Sequence, residues 1–372
     1  MIPLLQPSIA PNTKKYINDV IDSHWWGLGP KTEEFEKRFA EYVGAKYAVG
    51  VNSATSALHL ALIIQRDKLK KKYNSKITDV ITTPLTFISS ALIAEYENLF
   101  VKFADINSSL NIDIATVKEM IKEKDIFIPV HYGGRNAFDE NDDLSWLDDD
   151  QVIQDCAHAC GTKNLPNKGL KIWSFHAVKN LPTGDGGMIT TDSKEDYERL
   201  KALRWVGINK STYERAQKKY GWDYNIQEVG YKYHMNDLTA SIGLAQLEVV
   251  EKHNERRKEL VKNYNNAFKD INQIITPQYD DNMSWHLYVV RLNEATEEQR
   301  NRFIDYLLEN GISAGVHYKP LYFYPMFSYA NNGSLANTDK YWTELITLPL
   351  FPDLTNVEQE FIINTIRKYK FD

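Results

Sequence analysis

A chain of 372 residues that is 43% apolar and 12% aromatic has room for a large core and two domains, and its composition excludes a disordered protein. A net charge of −6 excludes the broad basic footprint of a nucleic-acid binder. No apolar run approaches the roughly 20 residues that span a bilayer, and MIPLLQPSIAPNTKK lacks a basic segment ahead of an apolar one, so a cytoplasmic protein without a membrane partner is expected.

Residues 16 to 43 read as an N-terminal arm and a helix, with Phe35, Phe39 and Tyr42 at helical spacing behind Lys31-Thr32-Glu33. Tyr47 to Val51 is β-like and leads through small polar residues into an apolar helix starting near Thr55. Free amides and the positive end of the helix dipole gather at such a start, which makes it a phosphate site; a simple Ser/Thr N-cap is the other reading. Lysine-rich KLKKKY, residues 68 to 73, reads as a solvated helix end. DVITTP forms a strand into Pro84, and Phe87 opens another helix; taken singly, Phe87 is a core phenylalanine. Phe100 to Ala104, Ile126 to Val130 and Val152 to Ile153 read as buried strands of an α/β sheet. The acidic block DENDDLSWLDDD, residues 139 to 150, lacks regular ligand spacing and reads as an exposed face.

Residues 151 to 191 concentrate the chemistry. A short apolar strand ends on Asp155, followed by Cys156-Ala157-His158; a second strand, Lys171 to Phe175, runs into a turn carrying Lys179. Thr183-Gly184-Asp185-Gly186-Gly187 must bend tightly before the β-leaning run Met188 to Thr191. A carboxylate and an amine are thereby delivered at or just past strand C-termini, where α/β sheets keep their ligand crevice. Such a pair suits a pyridoxal phosphate site, in which a lysine bonds the cofactor and a carboxylate keeps the pyridine nitrogen protonated. Cys156 and Cys160 flank His158 without a third or fourth ligand at suitable spacing, so buried thiols in a reducing compartment are expected and no metal.

Beyond this stretch, DYERLKALRWVGI is a helix, and a polar, aromatic-studded loop runs from Asn209 to about Val229. The longest helical pattern then runs from Asn236 to about Ile271 and links the two domains. The last third alternates strand and helix through SWHLYVVRL, TEEQRNRFIDYLLEN and ISAGVHYKPLY, as expected of a small α/β domain over one side of the cleft.

SFHAVKNLPTGDGG and QDCAHACG resemble the two signature segments of the DegT/DnrJ/EryC1/StrS sugar aminotransferases, and with WWGLGP, TTPLTF, GYKYHM and HYKPL the resemblance runs from about Trp25 to Phe351. It implies a fold-type I α/β architecture: a large, mostly parallel mixed-sheet domain with an N-terminal arm, residues 1 to 250, and a smaller α/β C-terminal domain, residues 251 to 372. It also implies pyridoxal 5′-phosphate as cofactor, bonded by Lys179, with Asp155 on the ring nitrogen, His158 on the phenolic oxygen and Phe87 stacked on the ring. Ala54, Thr55, Ser56 and Ser174 would hold the phosphate, Ala54 standing where the family usually has glycine. For His158 a core histidine, and for Ser174 an ordinary strand-end serine, are the alternatives.

Two further departures lie in GYKYHM, where Lys232 replaces an asparagine that in relatives reaches the phosphate across a dimer, and His234 replaces an arginine. The resemblance puts Trp26, His317 and Tyr318 near the substrate mouth, although the Trp25–Trp26 pair reads equally as core or interface and His317-Tyr318 equally as structural. The implied reaction moves an amino group from glutamate or glutamine to a nucleotide-linked keto-deoxysugar, by a ping-pong route through pyridoxamine phosphate in a homodimer with shared sites. Dehydratases on the same scaffold carry histidine at the place of Lys179, which argues against that alternative. A non-catalytic sensor is disfavoured by an intact Lys179, Asp155 and phosphate cup.

Overall fold

The computed structural model describes the chain except for residues 78, 140–141, 209–212, 214–215, 218, 227, 331–334 and 372. Part of the acidic block and much of the polar loop expected from Asn209 lie outside the described residues. Two helices, α1 (Thr13–Asp22) and α2 (Pro30–Val43), precede the first strand. Strand β1 (Tyr47–Val51) leads into the 20-residue α3 (Ala54–Tyr73). Then come β2 (Asp79–Thr82), α4 (Ser89–Tyr96), β3 (Phe100–Phe103), α5 (Ile114–Met120) and β4 (Ile126–Ile128). They are followed by β5 (Ile153–Asp155), β6 (Leu170–Ser174), β7 (Gly187–Thr191) and α6 (Lys194–Leu203).

These strands form two hydrogen-bonded groups, β3-β2-β4, all parallel, and β1-β7-β6-β5. Single parallel bridges at Phe127–Val152 and Val130–Asp155 join β4 to β5 and make one layer of seven strands. Only β7 runs against its neighbours. The fold-type I expectation of a large, mostly parallel mixed sheet therefore holds. Both faces are covered, so strands such as β4 and β7 are buried at every position, as parallel layers require.

Helix α3 is buried around its whole circumference from Ser56 to Gln65 because it packs into the main core with the sheet, α4 and α6. Its lysine-rich last turn is exposed, and the two charge blocks of the sequence meet there: Lys68 pairs with Asp150 at 3.1 Å, and Lys72 with Asp148.

One helix was expected from Asn236 to about Ile271, but the structure has two, α7 (Asp237–Leu247) and α8 (Val250–Phe268), broken at Val249. The two halves answer to different surroundings. Helix α7 is buried against α1 and α2, whereas α8 is amphipathic and turns one stripe to a second core. Asp237 at the start of α7 also caps α2, whose own N-cap is Gly29 and which has no capping side chain; it accepts from the amides of Gly29, Lys31 and Thr32 at 3.0, 3.1 and 2.9 Å.

The second core surrounds the antiparallel sheet β10-β9-β8, made of β8 (Ile274–Ile275), β9 (Tyr288–Leu292) and β10 (Leu345–Leu348). Helices α9 (Glu297–Glu309), α10 (Ala336–Glu344) and α11 (Asn356–Lys368) complete this part. The N-terminal residues also belong to it in space, since Ile2 bridges Ile312 and packs on this core.

Candidate active site

The carboxyl ends of the parallel strands lie along one edge of the large sheet, and the chain bends there repeatedly. Asp155 ends β5; Lys179 follows β6 in a turn closed by its own amide on the His176 carbonyl at 2.9 Å; Ser53 follows β1 and caps α3. Gly187 permits the close approach, since a Cβ there would come within 2.6 Å of the Ser53 carbonyl carbon. Gly184 supplies the left-handed turn, at φ +92°, that returns the chain into β7. The result is a cavity of about 460 Å³ within the usual range for a cofactor site.

Lys179, Asp155, His158, Ser174, Phe87, Ala54 and Thr55 all line this cavity, as do His317 and Tyr318. Lys179 is half-buried, and the desolvation of its amine lowers it to about 8 against the opposing pull of Asp155. Burial likewise pushes the Asp155 carboxyl up, while hydrogen bonds from the Ser90 hydroxyl, 2.7 Å, and the Ala157 amide, 3.0 Å, favour its charged form. His158 Nδ1 accepts the Gly133 N–H at 3.2 Å, so the neutral ring carries its proton on Nε2 and turns it to the Tyr318 oxygen, also at 3.2 Å. The Tyr318 hydroxyl proton is then left to donate elsewhere. Burial keeps His158 well below the ordinary imidazole range, with Lys179 as a second cause.

Three expected site residues are not brought to this cavity within the chain. The Ser56 hydroxyl turns back to Asn52 Oδ1 at 2.6 Å and its amide to Ser53 Oγ at 3.0 Å, so it completes the helix cap. Helix α3 thus starts at Ala54 behind an N-cap serine, and its first amides, those of Ala54 and Thr55, stand at the cavity wall where a helix leaves them without intrahelical partners. Trp26 is 53% exposed and directs its indole N–H toward the Ile21 carbonyl at 3.4 Å. Lys232 places its ammonium 3.3 Å from the ring centroid of Trp205.

Sequence reasoning missed Ser90 and His286. Ser90, two residues into α4, follows Phe87 by three and so shares its face of the chain, a spacing that could have revealed it. His286 stands just ahead of β9, with Nε2 3.5 Å from Lys179 Nζ and its ring 4.4 Å from that of His158. A polar ring immediately before an apolar strand was its only signal.

These residues fit pyridoxal phosphate. Asp155 is a buried carboxylate with neutral donors, which a protonated ring nitrogen would complement. Phe87 lines the cavity with 59% of its surface exposed, Lys179 offers a desolvated amine, and the α3 start and Ser174 offer anion donors. Among the described residues no group of histidine, cysteine or acidic side chains could hold a metal.

Comparison with known proteins agrees with this geometry. The DegT/DnrJ/EryC1/StrS aminotransferase family profile matches residues 7–367. The chain is 34% identical to the spore coat polysaccharide biosynthesis protein SpsC of Bacillus subtilis, covering 98% of this chain and 96% of that protein. Among solved structures it resembles Helicobacter pylori PseC, an aminotransferase involved in the biosynthesis of pseudoaminic acid, with a TM-score of 0.85 at 25% identity over 99% of this chain and 98% of that one. It is equally similar to the Streptococcus pneumoniae protein Spr1654 in its PMP form, with a TM-score of 0.85 at 28% identity over 98% of each chain. The chain belongs to the DegT/DnrJ/EryC1/StrS aminotransferase family, and with it to the pyridoxal-phosphate-dependent sugar aminotransferases.

Proposed function

We propose that this protein transfers an amino group from glutamate to the keto group of a nucleotide-linked deoxysugar, working in the cytoplasm as a homodimer. The observation that carries the reading is the placement of Lys179 and Asp155 in one cavity with the start of α3. Bound pyridoxal phosphate supplies an electron-withdrawing ring conjugated to the amine under reaction. Lys179 is the base: with an amine near 8, a useful fraction is unprotonated at neutral pH, and Nζ takes a proton from the substrate carbon and returns it to the neighbouring centre. Asp155 holds a proton on the ring nitrogen through its carboxylate. The amides of Ala54 and Thr55, with the hydroxyls of Thr55 and Ser174, bind phosphate oxygens. Phe87 offers the flat face, and His317 and Tyr318 border the substrate side.

A shared site is supported by the position of Lys232 outside its own chain's cavity. It is also supported by exposed apolar residues on the same segment, Ile226 at 59% and Val229 at 84%. In a dimer Lys232 would reach the phosphate of the other subunit as a point charge. Glutamate should convert the bound cofactor to its amine form, seen as loss of visible absorbance, and a panel of nucleotide-linked keto-sugars should restore it. If free keto-sugars restore the absorbance as fast as nucleotide-linked ones, the nucleotide assignment is wrong; if glutamate leaves it unchanged, the donor is.

A further inference from the structure

Three buried side chains connect a backbone carbonyl to the Lys179 amine, and each hydrogen bond in the series has only one possible sense. Asn254, on α8, donates through Nδ2 to the Cys160 carbonyl at 3.1 Å. A carbonyl only accepts, so the Asn254 amide oxygen must face the other way, toward Asn180. Asn180 donates both Nδ2 hydrogens, to Asn254 Oδ1 at 2.8 Å and to the Ser284 carbonyl at 2.9 Å. Its own oxygen therefore faces His286 Nδ1 at 3.0 Å, and that nitrogen must carry the proton. A neutral imidazole has one N–H, so Nε2 is left with a lone pair, and this is the atom 3.5 Å from Lys179 Nζ. The neighbouring His158 is held in the opposite tautomer by the Gly133 amide, so the two adjacent rings are not interchangeable.

An Nε2 that can only accept is always offered an N–H by the lysine. As an ammonium, Lys179 donates one of its three hydrogens there; as an amine it still donates one, and its lone pair is turned away from His286. Burial keeps His286 neutral well below the ordinary imidazole range, so the acceptor persists through the working pH. We propose that His286 is a positioning residue for Lys179, acting through an unprotonated Nε2 whose state is dictated by Asn180, Asn254 and the Cys160 and Ser284 carbonyls. The inference rests on Lys179 being the amine that bonds the cofactor and moves the proton. Because Asn254 lies on α8 and Ser284 and His286 precede β9, packing around the second core reaches the amine through this series.

The test compares two substitutions in the full chain freed of cofactor. His286→Asn preserves an amide near the Nδ1 position but withdraws the acceptor from Lys179, whereas His286→Gln places an amide oxygen near the Nε2 position. Competitive acetylation of Lys179 across pH, read by peptide mass spectrometry, reports the midpoint of its amine. An acceptor favours the charged form, so His286→Asn should lower the midpoint by about one pH unit, with His286→Gln staying within about 0.3 of the parent. Equal shifts in both variants, or none in either, overturn the proposal. Side-chain nitrogen chemical shifts of the unsubstituted protein supply a readout that needs no variant: a proton on Nε2 of His286 overturns it too. Borohydride reduction of the holoenzyme separates the two levels of the argument. Label on a lysine other than Lys179 defeats the reading of the site as a whole; label on Lys179 with an unmoved midpoint defeats the role of His286 alone.

Discussion

The two walls of the cavity carry different chemistry. The wall built from the large sheet holds the charged groups, Lys179, Asp155 and the exposed Asp185, placed by strand ends and the tight turns between them. The facing wall holds His286, His317 and Tyr318, contributed by segments more than 100 residues further along the chain. Burial keeps these three neutral: both imidazoles are pushed down, His317 to about 4, and the phenol is pushed up. Charge is thus confined to the side where β-ladders fix the backbone, and the other side contributes orientation through hydrogen bonds. The arrangement follows from solvation, since two opposite charges can complement each other and a bound ion, whereas a further buried charge would cost several kcal/mol without a partner.

If charge on the sheet wall carries the reaction, removing the amine should have the largest effect. Lys179→Ala should keep its melting temperature within about 3 °C and lose turnover by about 10⁵-fold or more, measured with saturating donor and acceptor. Asp155→Asn keeps the shape of the wall and removes its negative charge. The glutamate half-reaction, followed by stopped flow, should slow by about 10²- to 10⁴-fold with the cofactor still bound. A loss of only a few-fold would mean that Asp155 does not face the ring nitrogen.

Acid should test the neutral histidines. His131, beside the cavity, is locked uncharged: its Nδ1 accepts from the Ala137 amide at 3.0 Å and its Nε2 faces the Gln154 oxygen at 3.1 Å, and burial lowers it to about 4. Between pH 6.5 and 4 the unfolded chain binds a proton that the folded ring refuses, so stability is highest above 6.5 and falls as pH falls through this window. The loss from this group is on the order of 3 kcal/mol, each pH unit being worth about 1.4. Denaturant titrations of His131→Gln should show a shallower decline with acid than the parent, because that contribution is gone.

On the neutral wall the expected effects are smaller. Tyr318→Phe leaves the His158 Nε2–H without its acceptor and should cost about 1–2 kcal/mol, read as a lower denaturation midpoint with a roughly tenfold slower half-reaction. An effect as large as that of Asp155→Asn would erase the contrast between the walls. Smallest of all, Lys232→Ala should weaken cofactor retention on dialysis by about tenfold with the proposed dimer intact, and Lys232→Asn should recover part of it. Retention unchanged in both would remove Lys232 from the site.

The elements whose placement was legible in the sequence are those marked by a local pattern. Asp155 ends an apolar run, Lys179 precedes a glycine-rich turn, and small polar residues stand between β1 and α3; each is a local event with a local signature. The helix over 236–271 was misjudged because its helical propensity continues across Val249, and only the need to serve two cores breaks it there. Ser56 shows the same limit at smaller scale, since a serine at a helix start can face a ligand or cap its own helix, and the turn at Asn52 and Ser53 decides for the cap.

The sequence by itself determined where Asp155 and Lys179 stand, because an apolar run and a tight turn are local patterns, and its resemblance to a known family supplied the family and the cofactor. Only the tertiary structure decided what faces those two residues. The tautomers of His158 and His286, the capping of α2 by Asp237 from 208 residues away and the meeting of His286 with Lys179 across 107 residues all depend on which donors and acceptors arrive together. A hydrogen bond is a property of a pair of groups, and a pair so distant in the chain leaves no pattern in either of its local sequences.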